Sequence, residues 1–272
     1  MVLLEWLNIA KRNPNPYKFQ VIDISENDID RERVAKFCAE ELITAFRSLE
    51  FLSDILKKYR ESVLLDYIRN NIFASEGTGT WFGDFGEVLC TAILRDCDGH
   101  IVPIYKLRGR EKQNWPMRLT DILTYKKKVG DGLLIYFSEV KTRNIRNVGR
   151  DIIEAKKDYK KLQNALENPK PEVIDFIQRR LYDTGEYEKA NLFMKIYFGD
   201  IRPDKYSILF LVYEPRAWDE AILTNLNAEF NSSDSSRFEA RVVLISQLRE
   251  LIRNSYKWAT NLEMVRRLSD NG

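Results

Sequence analysis

One pronounced apolar run in the chain is Leu133-Leu134-Ile135-Tyr136-Phe137, which continues into Ser138-Glu139-Val140-Lys141. Five apolar residues in succession predict a strand covered on both faces, in the middle of a sheet rather than at its edge. Alternation then sets Glu139 and Lys141 on one side of its far end. The stretch 206–213 has the same two-faced pattern, and shorter strands are predicted over 100–107, 117–125 and 238–246. Elsewhere the apolar period changes to three and four. Val34, Phe37, Cys38, Leu42, Ala45 and Phe46, followed by Leu52, Ile55, Leu56, Tyr59, Val63, Leu64 and Tyr67, predict two helices over 29–70 with a break near 48–53. Asp28 or Asp30 can cap the first of them. Further helices are predicted over about 83–95, 149–167, 172–181, 186–197 and 247–254.

This order predicts an α/β protein with a mixed central sheet flanked by helices. An N-terminal helical region (1–75) precedes a sheet domain (76–255) that carries a helical insertion at 169–200, and 256–272 form a tail. Ser75-Glu76-Gly77-Thr78-Gly79-Thr80 reads as a hinge, because it lacks the lysine of a phosphate-cradling loop. Gly130-Asp131-Gly132 reads as a tight turn between two strands. The stretch 231–236 reads as a mobile polar loop.

Charge changes this picture only locally. The 272 residues hold 43 lysines and arginines against 41 acids, so the whole chain gives no nucleic-acid signal. Basic residues nevertheless concentrate in one region: Lys126, Lys127, Lys128, Arg143, Arg146, Arg150, Lys156, Lys157, Lys160 and Lys161. Such a stretch is either a solvated rim or a groove for phosphates. Cys38, Cys90 and Cys97 are an odd number in apolar or helical settings, which predicts reduced thiols. A cysteine zinc site is not expected, since no CxxC pair occurs and His100 is the single histidine. The opening residues fit no signal peptide and no run has the length of a membrane span, so a cytoplasmic protein without membrane contact is expected.

The candidate chemistry gathers around the central strand. A hairpin between 117–125 and 133–143 would hold Asp121 beside Glu139. Two carboxylates and an ammonium at a sheet end suit a hard divalent cation and an activated water. Glu87 follows the Gly83-Asp84-Phe85-Gly86 turn on a helix that enters the core, and Gly86 would let another backbone approach closely.

The order Glu87, Asp121, Glu139, Lys141 resembles the PD-(D/E)xK nuclease superfamily. Thr120-Asp121 stands where Pro-Asp is usual, and Glu139-Val140-Lys141 matches the (D/E)-x-K element. Gly86-Glu87, Thr120-Asp121-Ile122-Leu123 and Phe137-Ser138-Glu139-Val140-Lys141-Thr142 are most similar to HamA, the nuclease subunit family of Hachiman antiphage defence. The resemblance implies a restriction-endonuclease-like fold and a DNA-cleaving subunit that works with a superfamily-2 helicase in a bacterial cytoplasm. It also implies Mg²⁺ or Mn²⁺ held by Asp121 and Glu139, with Glu87 as an outer ligand or the holder of a metal-bound water. Lys141 would orient the attacking water. No Gln-x-x-x-Tyr element follows the sheet, which separates the chain from RecB-type nucleases. The alternatives are the same fold without catalysis, acting in DNA binding or assembly, and an interaction protein in which Glu139 and Lys141 merely pair.

Overall fold

A computed structural model describes residues 2–110, 120–128, 132–168, 171–230 and 236–270. Its strands are β1 (Leu7–Lys11), β2 (Gln20–Glu26), β3 (Ile122–Lys127), β4 (Leu133–Arg143), β5 (Asp204–Tyr213) and β6 (Phe238–Leu244). They form one mixed sheet in the order β1-β2-β6-β5-β4-β3. The two-faced apolar runs of β4 and β5 do pair in the middle, parallel from Leu134↔Asp204 to Arg143↔Tyr213. The edges are antiparallel, β1 on β2 and β3 on β4.

The helices are α1 (Val2–Trp6), α2 (Arg31–Phe46), α3 (Leu49–Lys58), α4 (Glu61–Tyr67), α5 (Gly79–Asp96), α6 (Val148–Glu167), α7 (Glu172–Asp183), α8 (Tyr187–Phe198), α9 (Ala221–Glu229), α10 (Leu248–Ala259) and α11 (Leu262–Asp270). Two apolar layers result. On one face, Val140, Ile208, Phe210, Val212 and Val243 pack with α2, α5 and α10. On the other, Ile135, Phe137, Leu209, Leu211 and Val242 pack with α6 to α9. The central strands thus alternate between two cores, which is why their sequences show no polar face.

Several expectations change. The region 1–75 is not all helical: Val21, Ile22 and Ile24 belong to β2, which runs parallel to β6 from Gln20↔Glu239 to Ser25↔Leu244. A pairing between such distant segments leaves no local signal. The stretch 100–107 is not a strand. Ile101 alone bridges to Tyr125, and the chain then enters a short 3-10 turn at Lys106–Gly109. Pro103 has no N–H for a ladder, which fits the interruption. The strand expected over 117–125 is β3, shifted toward the C-terminus, and residues 117–119 lie outside the described residues. So do Gly130 and Asp131 of the expected turn and 231–235 of the expected loop.

Helix boundaries follow their caps. Asp30 accepts from the Glu32 N–H at 2.9 Å and starts α2. Ser48 caps α3, so three helices occupy 31–67 rather than two. Thr78 accepts from the Trp81 N–H at 3.2 Å, so the expected hinge at 75–80 already contains the start of α5. The expected insertion is α7 and α8, whose Ile174, Ile177 and Phe193 are buried in the second core. The tail is part of α10 and α11, with Met264 and Val265 buried in the first core beside α2 and α5 residues.

Candidate active site

The site lies where β3 and β4 separate. Ile122↔Ser138 is the last pair of that ladder. Beyond it, the N–H of Val140 would lack a strand partner, and the Asp121 side chain takes the place: its Oδ2 accepts that N–H at 2.9 Å. In return the Asp121 N–H donates to Glu139 Oε1 at 3.3 Å. Asp121 and Glu139 are therefore neighbours, joined by one hydrogen bond, while a second ties the Asp121 carboxylate to the Val140 backbone. Glu139 itself is buried.

Glu87 arrives from the opposite face, on α5. A Cβ at Gly86 would lie 1.9 Å from Thr142 Oγ1 and 3.1 Å from Val140 Cγ1, so glycine is what lets α5 reach β4. The close approach is to side chains rather than backbone. Glu87 meets Asp121 through Lys106, which sequence reasoning missed. Lys106 Nζ stands 3.4 Å from Glu87 Oε2 and 3.5 Å from Asp121 Oδ1, and donates to the Thr120 carbonyl at 3.1 Å. The signal was a lone lysine in the apolar run Ile104-Tyr105-Lys106-Leu107. Glu87, Lys106, Thr120 and Asp121 line a cavity of about 30 Å³.

Lys141 shares the Glu139 side of β4 but turns to α6. Its Nζ lies 3.0 Å from Asp158 Oδ2 and 3.9 Å from Glu154 Oε2. Glu139 Oε2 is paired at 2.8 Å with Lys161 of the same helix. Asp158 and Glu154 were also missed, since they were hidden in a helix read for its lysines.

Burial dominates the electrostatics. It pushes the Glu87 carboxyl up to about 8, against the pull of Lys106. Burial, aided by the neighbouring Asp121 charge, pushes Glu139 up to about 8 as well, with Lys161 opposing. Burial works against the charge on Lys106 and Lys141, but the surrounding carboxylates win and hold both pKa values above the usual lysine value. Among the described residues, no group of three or more His, Cys, Asp or Glu side chains gathers as a metal cage. Glu139 reaches the site from one sheet face and Glu87 from the other, with Asp121 at the edge between them.

The basic stretch is largely neutralised within the fold. Arg143 pairs with Asp151 and Glu154, Arg146 with Asp219, Arg150 with Glu154, Lys156 with Glu229 and Lys128 with Asp204. Lys157 and Lys160 are exposed on α6 and form no ion pair among the described residues, while Lys127 is exposed at the end of β3. Lys126 lies on the other sheet face, 5.9 Å from the centroid of the Tyr136 ring.

The model of one known family, HamA, matches residues 1–259. The chain belongs to the HamA family. The match spans every element from α1 to α10, so the N-terminal strands and all four carboxylate and lysine positions fall within the shared unit. Membership ties the chain to Hachiman defence, as the Gly86-Glu87, Thr120-Asp121 and Glu139-Val140-Lys141 elements suggested. No curated protein matches the chain. Among the described residues, no helix of this HamA-family chain is long and apolar enough to cross a membrane.

Proposed function

We propose that this HamA-family chain is a divalent-cation-dependent deoxyribonuclease. The observation that carries the reading is the meeting of Asp121 and Glu139 at the parting of β3 and β4, where the Asp121 N–H donates to Glu139 and the Asp121 carboxylate holds the Val140 N–H, with Lys141 on the Glu139 side. The donor set fits Mg²⁺ or Mn²⁺: both groups are oxygen donors, and such ions commonly take one or two carboxylates and complete their shell with water and substrate phosphate. Burial, aided by the Asp121 charge, raises the Glu139 pKa, and a cation there would favour its ionised form. Glu87 stands behind Lys106 as an outer group. When bound, the cation lowers the pKa of a water and polarises the scissile phosphate.

The chain's own residues supply the rest. Lys141 remains protonated beside Asp158, so it serves as a fixed positive charge toward developing charge at phosphorus rather than as a base. Lys106 holds Glu87 and Asp121 in a fixed relation. Lys157 and Lys160, both exposed on α6, would meet backbone phosphates. Control by a helicase partner belongs to the same proposal. Phe51, Tyr59 and Val63 of α3, α4 and their junction are 43%, 60% and 49% exposed and offer that partner an apolar face.

Plasmid DNA with Mg²⁺ tests the reading, using the lone chain and its complex with the proposed helicase partner and ATP. Glu139→Gln, Asp121→Asn and Lys141→Ala should each slow cutting about a hundredfold or more while the fold persists. Cutting at the wild-type rate by all three would sink the assignment. A second reading, DNA binding without catalysis, draws on the pairing of Lys141 and Glu139 with α6; DNA retention without any cutting in the complex would favour it.

A further inference from the structure

The first sheet face is covered by α2, α5 and α10 at one end only. At the other end a trough of about 470 Å³ crosses the sheet, with Lys11, Gln20, Arg241, Tyr206, Tyr136 and Lys126 contributed by β1, β2, β6, β5, β4 and β3 in spatial order. This size lies within the range of pockets that hold small ligands. It lies on the opposite face from Glu139 and Lys141.

The trough has an aromatic series along part of its length. His100 packs on Tyr136 with ring centroids 4.3 Å apart, and Tyr136 stacks on Tyr206 at 5.2 Å with the rings 23° from parallel. Tyr136 and Tyr206 are cross-strand partners, so the sheet itself enforces the stack. The series ends at Tyr206, whose one aromatic neighbour among the described residues is Tyr136. Both tyrosines are half-buried, which leaves ring surface accessible. His100 is uncharged at neutral pH, since burial pushes its imidazole down to about 3.

The charges are arranged differently from those of the active site. Arg241 lies 2.5 Å from both nearby acids, Asp98 and Glu239, so one guanidinium holds and screens the two carboxylates. Lys11 and Lys126, at the two ends, form no ion pair among the described residues. An unfinished aromatic stack between two free cations is complementary to a flat ring that carries a phosphate. We infer that this trough binds nucleotides through their bases, which extend the stack at Tyr206, and through their phosphates, which meet Lys126 and Lys11. Six strands spaced about 4.8 Å apart give a trough roughly 24 Å long. An extended single strand of nucleic acid fills such a length better than one free nucleotide, and sequence-tolerant stacking on aromatic side chains is the usual mode. The inference does not depend on the nuclease reading.

The test uses the full chain bearing Glu139→Gln, in EDTA, with a fluorescent oligothymidylate, a fluorescent duplex and unlabelled thymidine monophosphate as competitor. Tyr206→Leu, which keeps an apolar group at the site, should weaken oligothymidylate binding roughly tenfold. Lys126→Gln, a surface change that leaves the core intact, should weaken it severalfold and lower its salt dependence. Duplex binding should stay unchanged in both. Affinity that rises with oligonucleotide length, with little competition from the monophosphate, assigns a strand as ligand; full competition assigns a free nucleotide. Unchanged oligothymidylate affinity in the folded double variant overturns the inference, and so does an equal loss of duplex binding.

Discussion

The β3–β4 junction and the trough handle charge in opposite ways. Toward α6 and the β3 junction, Glu139, Lys141, Asp121, Glu87 and Lys106 are crowded into little solvent, and each cation is tied to a carboxylate. Toward the trough, Tyr136 is flanked by Lys126, whose charge is open to water and to any ligand. The first arrangement fixes atoms in place and makes every charge depend on its neighbours. The second leaves charge available. A reaction centre needs the former and a surface that holds a passing chain needs the latter.

Removing one lysine from each side separates these behaviours most sharply. Lys106 has a side chain only 8% exposed between two carboxylates. Lys106→Ala should therefore lower the unfolding free energy by about 3–5 kcal/mol, the usual loss when a buried ion network loses a member. Lys126→Ala should stay within about 0.5 kcal/mol, as surface changes do. Urea denaturation of both variants decides the matter, and equal losses would erase the distinction.

The pH dependence of stability should show the same contrast. Glu87 and Glu139 have pKa values of about 8 in the folded chain, against the ordinary glutamate value of 4.5 when unfolded. Asp84 and Asp158 are shifted upward as well, mainly by burial. Between those limits the folded chain holds protons that the unfolded chain has released. The stability from these groups is therefore complete below about pH 4.5 and is lost as pH rises through about 8. In EDTA, Tm should fall across that window, more shallowly in Glu139→Gln. Added Mg²⁺ should flatten the upper part in the wild type. A level Tm across the window would contradict the burial of these carboxylates.

Gly86 tests how closely the two faces are held together. Alanine there gains about 1 kcal/mol of helix propensity. It also places a methyl group 1.9 Å from Thr142 Oγ1. Overpacking of that kind costs about 1–3 kcal/mol, so the clash should win and shift Glu87 away from β4. Thr142 Oγ1 has no hydrogen-bond partner to lose, so adding Thr142→Ala should restore part of both stability and cleavage. Failure of this rescue would mean that Gly86 is needed for another reason.

How legible these features were depended on sequence distance. The central strands β4 and β5 were readable because their own residues report burial on both faces, and Asp121 beside Glu139 followed from a neighbouring hairpin. β2 was not, because its partner β6 lies far along the chain and the short β1 offers little periodicity. Lys106 was missed for a related reason: the carboxylates that justify a buried lysine come from α5 and the start of β3. The basic helix α6 was legible only in part. Its lysines are local in sequence, but Glu139 and Glu229, which neutralise Lys161 and Lys156, are not.

The smallest effect concerns that helix. Reading α6 as one phosphate-binding face would give every lysine on it an equal share in the salt dependence of DNA binding. The ion pairs predict unequal shares: Lys157 and Lys160 are free to displace counterions, whereas Lys156 and Lys161 are already compensated by Glu229 and Glu139. Removing one lysine–phosphate interaction should reduce the slope of log affinity against log salt by about one unit. Lys157→Gln with Lys160→Gln should thus lower the slope by about two units for duplex DNA. Lys156→Gln should change it little. Lys161→Gln has a separate consequence, because it exposes Glu139 to an unopposed Asp121 charge and should strengthen Mg²⁺ binding measured by calorimetry. Equal slopes for all single variants would return α6 to a uniform solvated face and move duplex binding elsewhere on the molecule.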